Sequence, residues 1–143
     1  MSLEEMLLRG ELKREPPTAG EVERLLAAIE RRLRDAANST NSPETRLEQA
    51  YHAILNCALA ALRHQGLRPT NVLGKHVVVL ESLLSTLGVE PRRHDYYQAL
   101  RDLRNREIYT GAVHVSDRDV AEAIEEAAWL RVRLLERLRE RKA

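Results

Sequence analysis

The stretch "PETRLEQAYHAILNCALAALRHQG", residues 43–66, decides the fold. Leu47, Tyr51, Ile54, Leu55, Ala58, Leu59 and Leu62 recur at steps of three and four, so they gather on one side of a helix. Pro43 follows Ser42 at a position where a helix starts without losing a hydrogen bond, and Gly66 closes it. A helix of this length, apolar on one stripe, needs partner helices to cover it. The rest of the chain supplies them.

Towards the N-terminus, "EVERLLAAIERRLRDA" (21–36) places Val22, Leu25, Leu26, Ile29 and Leu33 on one face. The "TAGE" before it, Thr18 to Glu21, has the spacing of a capping box. "NSTNSP" is the loop joining the two helices. Further upstream, "MSLEEMLLRG" reads as a short helix ending near Gly10, followed by a charged connector closed by Pro16 and Pro17.

Towards the C-terminus, "LRPTN" (67–71) reads as a loop. A helix is predicted from about Leu73 to Leu87, with Val77, Leu80, Leu84 and Leu87 inward. Its "VVVL" suits a strand in isolation, but the surrounding period does not alternate. Gly88 and Pro91 end it. The next helix spans about Arg92 to Tyr109, stopping at Gly111. "SDRD" (Ser116 to Asp119) is a second capping-box spacing and opens a long last helix with Val120, Ile124, Ala127, Leu134 and Leu138 inward. That helix carries a second apolar set, Ala121, Ala128, Val132 and Leu135, with Trp129 in the same segment. Two apolar sides imply two partners, and one candidate is a second subunit.

Composition agrees. Of 143 residues, 43% are hydrophobic, 31% charged and 3% aromatic, with no Phe. The apolar residues are mainly Leu and Ala, which with Glu and Arg are good helix formers. The expectation is one all-α domain over 1–143. Residues 1–17 form a short helix and connector, and 18–143 a mostly antiparallel four-helix bundle. The formal charge is +1, which excludes a global field for nucleic acid or acidic membrane, so any phosphate recognition must be local. Of 23 basic residues, 20 are Arg, the side chain whose fork matches phosphate and carboxylate.

Cys57, the single cysteine, lies in an apolar run and reads as a buried small hydrophobe. The N-terminal segment is too acidic for a signal peptide, and no apolar stretch approaches the length of a membrane span. A soluble, cytoplasmic protein without membrane contact is expected. The five histidines (52, 64, 76, 94 and 114) show no ligand spacing, so no metal or cofactor is implied. "GKH" (Gly74 to His76) reads as a helix start and lacks the rest of a phosphate loop. His94–Asp95 beside Arg92 and Arg93 reads as a solvated helix start, and the basic tail from Arg131 to Lys142 as a solvated face.

One segment stands apart. In "LRDLRNREIYTG" (100–111), Arg101, Asn105 and Tyr109 form a stripe at steps of four, with Arg104 beside it. Guanidinium groups there could hold a phosphate and stabilise developing charge. The same residues also admit a structural role, with Arg101, Arg104 and Arg106 paired to Asp102, Glu107 or acids of neighbouring helices.

Taken together, "LLRGELK", "EVERLLAAIERRLRDA", "PETRLEQAYHAILNCALAALRHQGLRP" and "LRDLRNREIYTG", in this order, resemble the HEPN-domain family of small helical proteins. The family signature is Arg, often followed by a polar residue such as Asn, and a few residues on by His. The resemblance implies that Arg104 would hold a phosphate and Asn105 orient it, with Arg101 and Arg106 as supporting cations for substrate. Tyr109 stands at the His position. In many members the motif forms a metal-independent ribonuclease site between two subunits, some of them toxins. Others are non-catalytic modules that dimerise, bind a nucleotide or pair with a nucleotidyltransferase antitoxin. The Arg–Asn pair favours an RNA-directed, toxin-type endoribonuclease acting as a homodimer. Tyr109 favours the binding module, because an unperturbed phenol titrates near pH 10 and is a poor base.

Overall fold

The computed structural model describes residues 1–71, 74–111 and 114–140. The order is α1 (Leu3–Leu8), β1 (Leu12–Arg14), α2 (Glu21–Ala37), α3 (Pro43–His64) and β2 (Leu67–Pro69). Then follow α4 (Lys75–Glu81), α5 (Leu83–Thr86), α6 (Pro91–Thr110) and α7 (Asp117–Arg139). The architecture is an all-α bundle with α3 at its centre, packed against α2, α7, α6 and the short α4 and α5.

Helix α3 holds the centre because it is apolar on more than one side. Its predicted stripe is inside at Leu47, Tyr51, Ile54, Ala58 and Leu62, while Leu55 and Leu59 are half-buried. Ala50, Ala53, Cys57, Ala60 and Ala61 are buried as well, and these small side chains let several helices approach at once. Burial pushes the Cys57 thiol up to about 12, so it is an uncharged packing group.

Ion pairs and hydrogen bonds fix the helix directions. Arg46, early in α3, donates to the Ala36 carbonyl late in α2 at 2.7 Å. Arg63, late in α3, grips Glu21 at the start of α2, so the two helices run antiparallel. Glu48 of α3 pairs with Arg104 late in α6, and Arg93 early in α6 pairs with Glu126 of α7. The Arg93 guanidinium lies 3.6 Å above the Trp129 ring. On the outer side of α7, Ala121, Ala128 and Val132 are exposed and Leu135 is half-buried.

Three local expectations are corrected. The connector and the "LRPTN" loop together form an antiparallel ribbon, pairing Leu12 with Pro69 and Arg14 with Leu67. Each strand is too short to show a period of two, and what holds them is the burial of Leu12, Leu67 and Pro69. The expected single helix to Leu87 is divided at Ser82, whose hydroxyl donates to the Val79 carbonyl at 2.6 Å, a local bond that competes with the helical ladder. Of the expected inward positions Leu80 and Leu87 are buried and Val77 and Leu84 half-buried, with Val78, Val79 and Leu83 buried beside them; the expected start at Leu73 lies outside the described residues. At "TAGE", the Glu21 carboxylate does accept from the Thr18 N–H at 3.0 Å. The helix nevertheless begins at Glu21, behind Gly20 at φ 77, with no side-chain cap. The Ser116–Asp119 capping box forms in full.

The ribbon is tied to the bundle by Arg63, a fully buried cation at the end of α3. Its Nε and Nη2 donate to Glu21 at 2.6 and 3.2 Å. Nη1 donates to the carbonyls of Glu15 and Leu67 at 2.9 and 3.0 Å, and Nη2 to that of Pro16 at 3.2 Å. Those partners come from the connector, β2 and α2, so one side chain joins three segments.

Candidate functional site

Helix α6 starts at Pro91 and buries Tyr97 and Leu100, but no residue after Leu100 is buried. From Arg101 on the helix is half-buried at most, Leu103 being its last apolar side chain packed on the core, and Gly111 in the left-handed region ends it. Arg101, Arg104, Asn105 and Tyr109 all belong to this stretch.

Arg104 is held as a fork on Glu48. Its Nε and Nη2 donate to the two carboxylate oxygens at 2.8 and 2.9 Å, and Nη1 donates to Asn105 Oδ1 at 3.1 Å. The guanidinium carbon lies 5.5 Å from the Tyr51 ring centroid. Arg101 donates from Nε to Gln98 at 3.1 Å, and Gln98 donates to the Val77 carbonyl at 3.0 Å. Arg106 faces Asp102 at 3.4 Å in an exposed pair. Tyr109 is 85% exposed and Ile108 49% exposed, so α6 presents an uncovered apolar end one turn beyond Arg104.

Three further groups surround Arg104, contributed by α3 and α4. His52 Nε2 is 2.8 Å from Glu48, one helical turn along α3. Burial would raise the Glu48 carboxyl, but hydrogen bonds from Arg104 and His52 outweigh it and hold it below the usual carboxylate range. Tyr51 is fully buried. Burial pushes its phenol up to about 12 against the attraction of Arg104 and Arg101. It therefore stays protonated, and its hydroxyl lies in hydrogen-bond distance of His76 Nδ1, at 3.3 Å. Burial, then the charges of Arg104, His52, Lys75 and Arg101, lower the His76 pKa.

The arrangement is thus a carboxylate, two imidazoles and two guanidinium groups on one half-open face, with Tyr109 outside it. Guanidinium groups in such a set can hold an anion, and imidazoles can move protons. Among the described residues, no group of three or more His, Cys, Asp or Glu could hold a metal ion. No helix formed by the described residues is long and apolar enough to cross a membrane. Sequence reasoning gave Tyr51 to the buried stripe and no site role to His52 or His76, and it passed over Glu48. Only Glu48–His52 carried a signal, a polar pair at a step of four on a helix; His76 arrives by tertiary packing alone.

No protein-family model matches the chain, and no curated protein or solved structure matches it.

Proposed function

We propose that this chain is a HEPN-like, RNA-directed module that holds a phosphate at Arg104. The observation that carries the reading is the fork of Arg104, whose Nε and Nη2 hold both oxygens of one carboxylate, Glu48, at 2.8 and 2.9 Å, with Arg101 and Arg106 on the same helix end. Glu48 occupies the guanidinium fork as a phosphate would, so RNA binding exchanges one bidentate anion for another. Asn105 steadies Arg104, and Arg101 and Arg106 supply flanking charge. The exposed Ile108–Tyr109 end and the outer side of α7 are the surfaces for a second copy, which would bring two Arg104 sites together.

Binding is the activity that the geometry supports best, because Tyr109 is 85% exposed and makes no hydrogen bond with a described residue. A second reading, metal-independent endoribonuclease of the toxin type, draws on His52. This imidazole sits on Glu48 beside Arg104 and could move protons where Tyr109 cannot. A non-catalytic module docking a nucleotidyltransferase through Ile108 and Tyr109 is what would remain if RNA is not bound.

Fluorescence anisotropy with a labelled single-stranded RNA in EDTA, over a salt series, tests the reading. Glu48→Gln should tighten binding by freeing Arg104. Arg104→Ala should weaken it and reduce the salt slope by about one phosphate contact, ~0.7 for a single strand. The double variant Arg104→Ala/Glu48→Gln removes repulsion from an unpaired Glu48 and should stay weak. Unchanged binding in both Arg104 variants would sink the proposal. Cleavage read on the same samples, lost in His52→Ala and Arg104→Ala alike, would favour the enzyme.

A further inference from the structure

Helix α7 pairs its charges where it touches the rest of the chain. Glu126 is taken by Arg93 and Arg131 by Glu30, and Arg133 donates to the Leu87 carbonyl at 2.9 Å. Its outer side differs. Ala121, Ala128 and Val132 are exposed there, Val132 by 53%, and Leu135 is half-buried. Their steps of seven, four and three keep them on one stripe of the helix. Asp117, Arg118, Glu136 and Arg139 border that stripe. All four are exposed, and none makes an ion pair or a side-chain hydrogen bond with a described residue.

The stripe is complementary to its own reverse about Ala128. Ala121 precedes that residue by seven positions and Leu135 follows it by seven; Asp117 precedes by eleven and Arg139 follows by eleven. Arg118 and Glu136 are eighteen residues apart, which is five turns, so they lie on one flank of the helix. An antiparallel twofold brings that flank of one copy to the same flank of the other. Reversed on a second copy, the stripe therefore sets Ala128 on Ala128, small Ala121 on large Leu135, and acid on base towards both ends. Laid parallel, it would set Arg118 on Arg118 and Glu136 on Glu136, and flanking charges of this kind decide the orientation of paired helices. We propose that α7 pairs antiparallel with α7 of a second copy across a twofold axis at Ala128, with Arg118 on the partner's Glu136 and Asp117 on the partner's Arg139. Such a contact is isologous and closes at two chains. It gives the second copy of the reading above its orientation and rests on that reading only there. Pairing needs no RNA, so the loss of either leaves the other standing.

One helix from each copy makes a small interface, of the class below about 1,200 Å² in total, so the dimer should be reversible. Sedimentation equilibrium of the full chain without RNA should show monomer and dimer exchanging in the micromolar range. Ala128→Glu sets two carboxylates on the axis and should weaken association about tenfold or more. Arg118→Glu should weaken it about threefold or more, and Arg118→Glu/Glu136→Arg should restore it, a rescue that a parallel pair does not give. Ile108→Asn/Tyr109→Asn probes the other exposed apolar end. Arg118, Ala128 and Glu136 are all exposed, and Glu and Arg are good helix formers, so these variants fold. A chain that is monomeric throughout, which would leave the stripe to a different protein, overturns the proposal. So does a species larger than a dimer, or a double variant no better than Arg118→Glu. Association that survives Ala128→Glu but is lost in Ile108→Asn/Tyr109→Asn would move the contact to the end of α6 and overturn it as well.

Discussion

Replacing Arg63 by Met should be among the most damaging single changes in this chain, although the residue is at the end of a helix and far from any active chemistry. The side chain is 0% exposed and its main partner Glu21 is 16% exposed. Its five hydrogen bonds reach Glu21 twice and the carbonyls of Glu15, Pro16 and Leu67. Met retains the volume and removes every donor. What is left is a half-buried carboxylate that keeps only Thr18 and the more distant Arg68, at 3.4 Å, and three carbonyls without their donor. Losing the closer partner of that carboxylate together with the donor of three carbonyls costs about 3–5 kcal/mol. For a domain of this size each kcal/mol moves Tm by about 3 °C, so thermal melting followed by circular dichroism at pH 7 should fall by roughly 10–15 °C. The double variant Arg63→Met/Glu21→Leu removes that carboxylate and should recover about half of the loss, the unpaired carbonyls accounting for the rest. A drop of less than about 3 °C in the single variant would refute the clamp, as would a double variant no better than the single.

Acid should weaken the same clamp. Hydrogen bonds from Arg63, and then from Thr18, hold the Glu21 carboxyl well below its ordinary value of 4.5, at about 2. A carboxyl depressed on folding contributes stability that is complete above its unfolded pKa and is lost as pH falls through the folded one. Urea midpoints should therefore decline between about pH 4.5 and 2, and Glu21→Gln should flatten that decline; an equal slope in the variant would assign it elsewhere. Thr86 is buried with its hydroxyl unpartnered, so the isosteric Thr86→Val should stabilise by about 1 kcal/mol, and a lower Tm would argue against it. Cys57 should resist a thiol reagent in the native state and react at the rate of global unfolding. Rapid labelling of folded protein would contradict its burial. Tyr109→His puts an imidazole at the exposed end of α6. A gain of RNA cleavage in EDTA with a neutral pH optimum would show a poised groove, and a folded, inactive variant would leave binding as the function.

The fold was legible wherever a long period repeated. In α3 the seven apolar positions of the opening stretch run over about four turns, and tertiary packing has no reason to override them. What escaped was short or dictated from a distance. Three residues of β1 and three of β2 cannot display an alternation, and the pairing of Lys13 with Arg68 joins segments far apart in sequence. Arg63 was invisible for a related reason. In sequence it is a cation in the last turn of a helix, where the dipole favours one at the surface. Only the return of the connector over the end of α3 turns it into a buried hub.

The region around Arg104 shows the same division more sharply. Spacing alone put Arg101, Asn105 and Tyr109 on a single stripe, and a regular helix does so. What a stripe does not give is depth. Leu100 is the last buried residue of α6, and beyond Leu103 no apolar side chain of the helix packs on the core, so residues one turn apart meet different surroundings. Arg104 is near enough to α3 to reach Glu48, whereas Tyr109 is 85% exposed. A motif on a helix end is thus divided by where that helix leaves its neighbours. The part that stays docked is organised by an opposing helix, and the part that projects must be organised, if at all, by another molecule. For this chain the docked part is Arg104 with Asn105 and its acid Glu48. The projecting part is Ile108 and Tyr109. Any function that needs Arg104 must first compete with a carboxylate already seated in its fork, which is why Glu48, a residue the motif does not contain, is the most informative one to change.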